Sequence, residues 1–447
     1  MATARGTGTV FRVTPGNPGN QPTRHPRWDP LHLSQVLQQA GIDPNRLSHF
    51  KLGWPREQRF KWLRRFLLMG LVFVLLELQR ASQWLPLELW LQSLLYLLVG
   101  LVIIQAACQA LLQATIAIAS RLRLSHYVTA TFGEIVATLP EIVVAVYLVL
   151  ESPLAAFVMV MMTIYNNALV FSFYSFFLPK DKRGRFLMPK PITDAGNQVI
   201  IAGGALGIIC GIWMIVAKVG NHGATYVGPF DLLGLALALL VVFAVYIYKL
   251  IREYADEEEE VEAALNISAE ERDYRRQEAY EYAQISSRGV LLLVALCGLA
   301  GAFIGGHCVA MFADIALTEL GLSDIVTAFL LAAFGGMSEY VLLWSSHRKG
   351  EYGIALANAF GGITQVLFLL LPFTLMAIFL CQIYWMPQHR EFPLSFSIPI
   401  ILLLSFLFPV FYTLSSLLTE DHTFGILDTT IMSVIVSLLI VLLLTHS

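Results

Sequence analysis

From residue 64 to the end of the chain, apolar runs of about 20 residues or more follow one another, broken by short polar connections and one long one. A run of that length crosses the ~30 Å hydrocarbon layer of a bilayer as a helix. In hydrocarbon every backbone N–H and C=O must be paired internally, so such a segment has almost no alternative to a helix. Hydrophobic residues make up 57% of the chain and charged residues 14%, far from the averages of soluble domains. The pattern predicts an all-α polytopic membrane protein with about eleven transmembrane helices, near 64–81, 88–119, 126–150, 153–178, 195–219, 228–249, 289–318, 324–346, 353–381, 395–417 and 425–445.

Loop charges give the direction of these spans through the excess of Lys and Arg on cytoplasmic connections. Arg56, Arg59, Lys61, Arg64 and Arg65 precede the first span and predict a cytoplasmic N-terminus. Arg121 and Arg123, the basic run from Lys180 to Arg185, the segment after Lys249, and His347, Arg348 and Lys349 then fall on the same side. Arg80, His389 and Arg390 are the exceptions. The count divides as one extra N-terminal helix plus two inverted five-helix repeats. The domains expected are a partly disordered tail (1–62), the extra helix and its connection (63–87), a first repeat (88–249), an acidic linker (250–288) and a second repeat (289–447). A multi-pass protein with short loops is placed by default in a bacterial inner membrane, with an organellar membrane as the alternative.

Two glutamates lie inside apolar spans, one in each repeat, and each is followed 26 positions later by an amide: Glu141 by Asn167, Glu339 by Gln365. A carboxylate in hydrocarbon is costly and marks a functional site. The two spans run in opposite directions, so the pair predicts a two-fold cation site at the bilayer midplane. Glu141 and Glu339 are the candidate metal ligands, with amide oxygens from Asn167 and Gln365 and hydroxyls from Thr138 and Ser338. Pro140 cannot donate to the Val136 carbonyl, and Gly335 and Gly336 loosen the helix ahead of Glu339, so backbone carbonyls become available at membrane depth. Two carboxylates neutralise either one divalent cation or two protons, which is sufficient for exchange. Glu134, two turns before Glu141, and His307, alone within its span, are candidate proton-relay or access residues.

The linker carries Asp256, Glu257, Glu258, Glu259, Glu260 and Glu262, a solvated charged face or a regulatory cation-gathering segment. The five cysteines lie in apolar segments without metal-ligand spacing and read as packing residues. A net charge of −3 carries no basic field for nucleic acid. The sequence holds no nucleophile–base pair, zinc-protease motif or phosphate loop, so an enzyme is not expected and no cofactor is implied.

The segments FGGMSEY and ALANAFGGITQVLFLLLP resemble the second alpha-repeat of the calcium/cation antiporter superfamily, most like its cation/proton exchangers. Gly335, Glu339, Gly361, Gln365 and Pro372 fall at the motif's positions, and ATLPE and MTIYNN are similar to its first repeat, with Glu141 and Asn167 in place. Gly336 stands where that family has asparagine, Tyr340 where it has histidine, Met162 and Thr163 where it has Gly-Ser, and Gly362 where it has serine. The resemblance implies an antiporter of inorganic cations and protons, with calcium as the transported cation and the two glutamates as central ligands. Sodium/calcium or other cation exchange is the alternative, and from another class a transport-inactive cation sensor or scaffold. Monomer and homo-oligomer both remain open.

Overall fold

The computed structural model describes residues 61–82, 87–122, 135–136, 138–180, 184–187, 190–220, 227–255, 287–336, 339–340, 343–344, 347, 352–385, 397–419 and 423–445. The chain divides into two units, Met1–Phe60 and Lys61–Ser447, and the architecture below is that of the second. Glu134, Ser338 and the acidic run Asp256–Glu262 lie outside the described residues.

The helices follow the apolar runs in order. They are α1 (Lys61–Ser82), α2 (Leu89–Leu122), α3 (Leu139–Glu151), α4 (Pro153–Tyr174), α5 (Lys190–Val219), α6 (Pro229–Ala255), α7 (Arg288–Asp314) and α8 (Asp324–Gly335). Then come α9 (Tyr352–Gln365), which runs through a wide turn at Val366–Leu370 into α10 (Leu371–Leu380), α11 (Ile398–Ser405), α12 (Leu407–Thr419) and α13 (Ile426–Thr445). Counting α9–α10 and α11–α12 as single interrupted crossings, the order reproduces the eleven expected spans. Among the described residues, eight helices are long and apolar enough to cross a membrane. Among the described residues the two shortest crossings are α3 and α8, with Glu141 in the first turn of α3 and Glu339 just past the end of α8. Both helices break at the same place, three residues before the acid. Thr138 precedes α3, whose first turn holds Pro140, and Gly336 caps α8 with φ −70° and ψ 1°.

Packing repeats the inverted frame. α2 lies against α7 and α5 against α12, each pairing equivalent helices of the two repeats, while α6 on α10 is matched by α4 on α13. Small residues set the closest approaches, as expected where lipid tails supply no hydrophobic drive between helices. A Cβ on Gly305 of α7 would lie 2.6 Å from Ile104 Cγ1 and 3.0 Å from the Gly100 carbonyl oxygen, and one on Gly100 would lie 2.9 Å from Cys308 Cβ. Gly305→Ala therefore forces α2 and α7 apart. We expect a loss of about 1–3 kcal/mol, the usual cost of overpacking, seen as a lower unfolding temperature in detergent. An unchanged unfolding temperature would show that this contact does not hold the repeats together.

The connections meet at the ends that alternate crossing requires. A two-stranded ribbon absent from the all-α expectation pairs β1 (Arg185–Leu187) with β2 (Thr423–Gly425), antiparallel, with Phe186 opposite Phe424. It joins the connection after α4 to the one before α13, which the loop charges put on one side. The pairing satisfies backbone groups that the helices leave off. On that side too, Tyr174 Oη lies 3.3 Å from His347 Nδ1. At the other end a cavity of ≈ 440 Å³ is lined by Glu151, Ser152, Asp314, Leu317, Thr318, Leu322 and Ser323. Burial and then the neighbouring Asp314 carboxylate push the Glu151 carboxyl above its usual range, while His307 and Arg80 oppose the shift. None of the five cysteines is joined in a disulfide.

Candidate functional site

The site forms where α3 begins and α8 ends, with α4 and α9 crossing between them. Glu141 sits in the first turn of α3, where the partial positive charge of a helix N-terminus favours a carboxylate. Its Oε2 is buried and makes no hydrogen bond of good geometry. The carboxylate lines a small cavity of ≈ 30 Å³ with Thr163, Gly335 and apolar side chains that include Leu97, Val144, Met159 and Leu331. That is room for one water or one ion, against a requirement of about 10–15 Å³ for a water.

Glu339 lies just past the end of α8, and its carboxylate is near enough to Glu141 for the two to interact electrostatically. Asn167, on α4, lies against the Glu339 carboxylate, yet neither of its buried polar atoms makes a well-formed hydrogen bond. Gly362 explains how closely they approach. A Cβ there would be 3.0 Å from Asn167 Nδ2, 3.0 Å from Glu339 Oε2 and 3.3 Å from Oε1. Buried polar atoms without partners are expensive. Their convergence here, with the partner-less Glu141 oxygen, is the arrangement a cation would complete.

Two further bonds cross between the repeats. Thr138 Oγ1 donates to Gln365 Oε1 at 3.0 Å, and Asn166 Nδ2 donates to the Tyr340 hydroxyl. The amides spaced 26 residues after each glutamate thus lie across from the opposite repeat, Asn167 against Glu339 and Gln365 against Thr138. Pro140 is buried in the first turn of α3, Val136 is half-buried just before it, and Gly335 lines the cavity. The Gly361 carbonyl accepts from Thr364 Oγ1 at 2.9 Å and is spent within its own helix.

His307 stands elsewhere. Its Nε2 is 3.8 Å from Glu77 Oε1 on α1, and Tyr96 Oη donates to the same glutamate oxygen at 3.1 Å. Tyr147, on the helix that carries Glu141, meets the His307 ring edge-on at 6.0 Å. Sequence reasoning overlooked Glu77 because it lies near the end of a span already rich in charge. It also overlooked Thr163 as a lining residue. The Thr163 hydroxyl donates to the Met159 carbonyl at 2.8 Å, and the residue lines the cavity; the signal was its place in MTIYNN. Among the described residues no three His, Cys, Asp or Glu side chains group as a metal-holding cluster. Two carboxylates with neutral oxygens suit a cation in passage.

Residues 290–445 match the family model described as sodium/calcium exchanger protein. Among solved structures, the fold is similar to that of the H+/Ca2+ exchanger CAX, with a TM-score of 0.58 and 12% identity over 86% of this chain and 93% of that one. The chain shares that exchanger's fold. The native structure of YfkE aligns with a TM-score of 0.52 and 13% identity, covering 85% of this chain and 99% of that one. The sodium-calcium exchanger NCX_Mj aligns at 0.45 with 15% identity, covering 79% of this chain and 99% of that one. No curated protein matches by sequence.

Proposed function

We propose that this protein is a secondary-active antiporter that exchanges calcium for protons by alternating access, at a site built on Glu141 and Glu339. The observation that carries the reading is the meeting of one carboxylate from each inverted repeat, with Asn167 left without a good hydrogen bond beside them. The fold shared with the H+/Ca2+ exchanger CAX and the Ca2+/H+ antiporter YfkE supports it.

Charge determines the cycle. With both carboxylates ionised the empty site carries two negative charges. A calcium ion or two protons each bring it to neutrality. A charged side chain at the bilayer centre costs roughly 2.5–3.5 kcal/mol on insertion scales. The empty site is therefore penalised by about 5 kcal/mol relative to either loaded form, and its passage between inward- and outward-facing states is slower by about four orders of magnitude. Calcium enters, the loaded site turns, and protons displace the ion on the other side and return in its place. The amide and hydroxyl oxygens of Asn167, Gln365, Thr138 and Thr163, with the carbonyls freed near Val136, complete the shell that calcium requires, six to eight oxygens in all.

The test is a vesicle assay with the purified chain and an imposed pH gradient. Calcium, sodium, potassium, magnesium and manganese are added separately while internal pH is recorded. Calcium is expected to dissipate the gradient. If another cation does so and calcium does not, the pairing is wrong; calcium uptake that follows a sodium gradient and ignores pH points to sodium/calcium exchange. If no cation moves, the sensor or scaffold reading replaces this one.

A further inference from the structure

Where the first repeat sets a hydroxyl beside the opposite repeat's amide, the second repeat has none at the equivalent position. Thr138 stands three residues before Glu141 and donates to Gln365 Oε1 at 3.0 Å. The equivalent position, three residues before Glu339, is Gly336, and the amide equivalent to Gln365 is Asn167. The place is nevertheless filled. A Cβ on Gly336 would lie 2.8 Å from Tyr340 Oη and 3.0 Å from Cζ. The two residues are one helical turn apart, and the Tyr340 N–H donates to the Gly336 carbonyl at 3.1 Å. Helical side chains lean toward the N-terminus, so the ring of residue 340 covers residue 336. Asn166 Nδ2 holds the phenol from the opposite repeat.

We propose that Tyr340 supplies the second repeat's neutral oxygen at the cation site, in the place Thr138 fills in the first, and that it sets which cation the site prefers; this rests on the exchanger reading above. Asn166 meets Tyr340 and Asn167 meets Glu339, and the phenol is near enough to interact electrostatically with the Glu339 and Glu141 carboxylates. A hydroxyl oxygen that accepts one N–H keeps a second lone pair and its own proton. It offers the lone pair to a cation and the proton to a carboxylate when the cation is absent. A phenol on a rigid ring, clamped by Asn166, holds its oxygen at a set distance, and hard cations differ in the cavity size and ligand number they accept. Gly336 is thereby a space requirement of Tyr340, and the absent side chain is no loss of an oxygen.

Tyr340→Phe removes the oxygen and keeps the ring. In the vesicle assay we expect the relative rates for calcium, magnesium, manganese, sodium and potassium to shift by about tenfold, the scale of one lost polar contact. Unchanged rates and preference overturn the proposal. Gly336→Ser rebuilds the hydroxyl of the first repeat but collides with the phenol, so its unfolding temperature in detergent falls. Adding Tyr340→Ala should restore that temperature and raise transport at least about tenfold over Gly336→Ser alone, a non-additive pair. Additive losses overturn the shared place of 336 and 340. The melting comparison needs no transport. A wild-type protein that moves no cation therefore rejects the exchanger reading and the cation role of Tyr340, and leaves the steric exchange between 336 and 340 still measurable.

Discussion

Glutamine at position 141 or 339 is expected to lower calcium-driven proton flux at least about a hundredfold, with the protein still folded. The change is nearly isosteric and removes one charge from a pair that must balance two. With one carboxylate left, a bound calcium leaves the site with one net positive charge, whereas a single proton brings the calcium-free site to neutrality, so the two loaded forms no longer match. A midplane charge costs roughly 2.5–3.5 kcal/mol. The calcium-loaded crossing slows by about two orders of magnitude as a result. Stability moves the other way. Removing one of two interacting buried like charges is neutral or stabilising, since it relieves their repulsion and one desolvation cost. The melting temperature of either variant in calcium-free detergent should equal or exceed that of the wild type, while the rise caused by added calcium should vanish. Flux within twofold of the wild type in either variant would remove that glutamate from the mechanism.

Gly362→Ala should cost about 10–100-fold in calcium-driven flux, although the residue has no side chain to contribute. The new methyl carbon would stand 3.0 Å from both Asn167 Nδ2 and Glu339 Oε2, tighter than such contacts are normally found. The carboxylate and the amide are the parts able to give way, and they are the groups that must hold the ion. Displacements of well under 1 Å at a site matter, and a misplacement of about 1 Å can cost about a hundredfold in rate. Because side chains yield and backbone does not, the unfolding temperature should change little, and that separates this variant from Gly305→Ala. Gly362→Val should be worse in flux by a further factor of about ten. Wild-type flux in Gly362→Ala would show that the approach of Asn167 to Glu339 has slack.

The first repeat illustrates how much of this is written in the chain. Glu141 could be picked out because an ionised group inside an apolar run has few innocent explanations, and Pro140 beside it signals a break because the ring removes a donor. The break does occur there, at the start of α3. Gly336 was legible as a loosened turn and illegible as a steric requirement, since the atom that forbids a Cβ belongs to a side chain four residues on. His307 shows the opposite limit. A histidine in a span invites a proton-relay role at the central site, and only the neighbouring helices decide that its partner is Glu77 of α1.

What the sequence determined by itself is the set of helices, their alternating direction and the two acids. Each follows from local constraints: hydrocarbon thickness, unpaired backbone in lipid, and the cost of a buried charge. What only the tertiary structure decided is who faces whom. Asn166 meets Tyr340 across 174 residues of chain, and Thr138 meets Gln365 across 227. Spacing along one helix fixes direction around its own axis, but contact between two repeats depends on how closely their backbones approach. Glycines such as Gly100, Gly305 and Gly362 set that approach, through the atoms they lack.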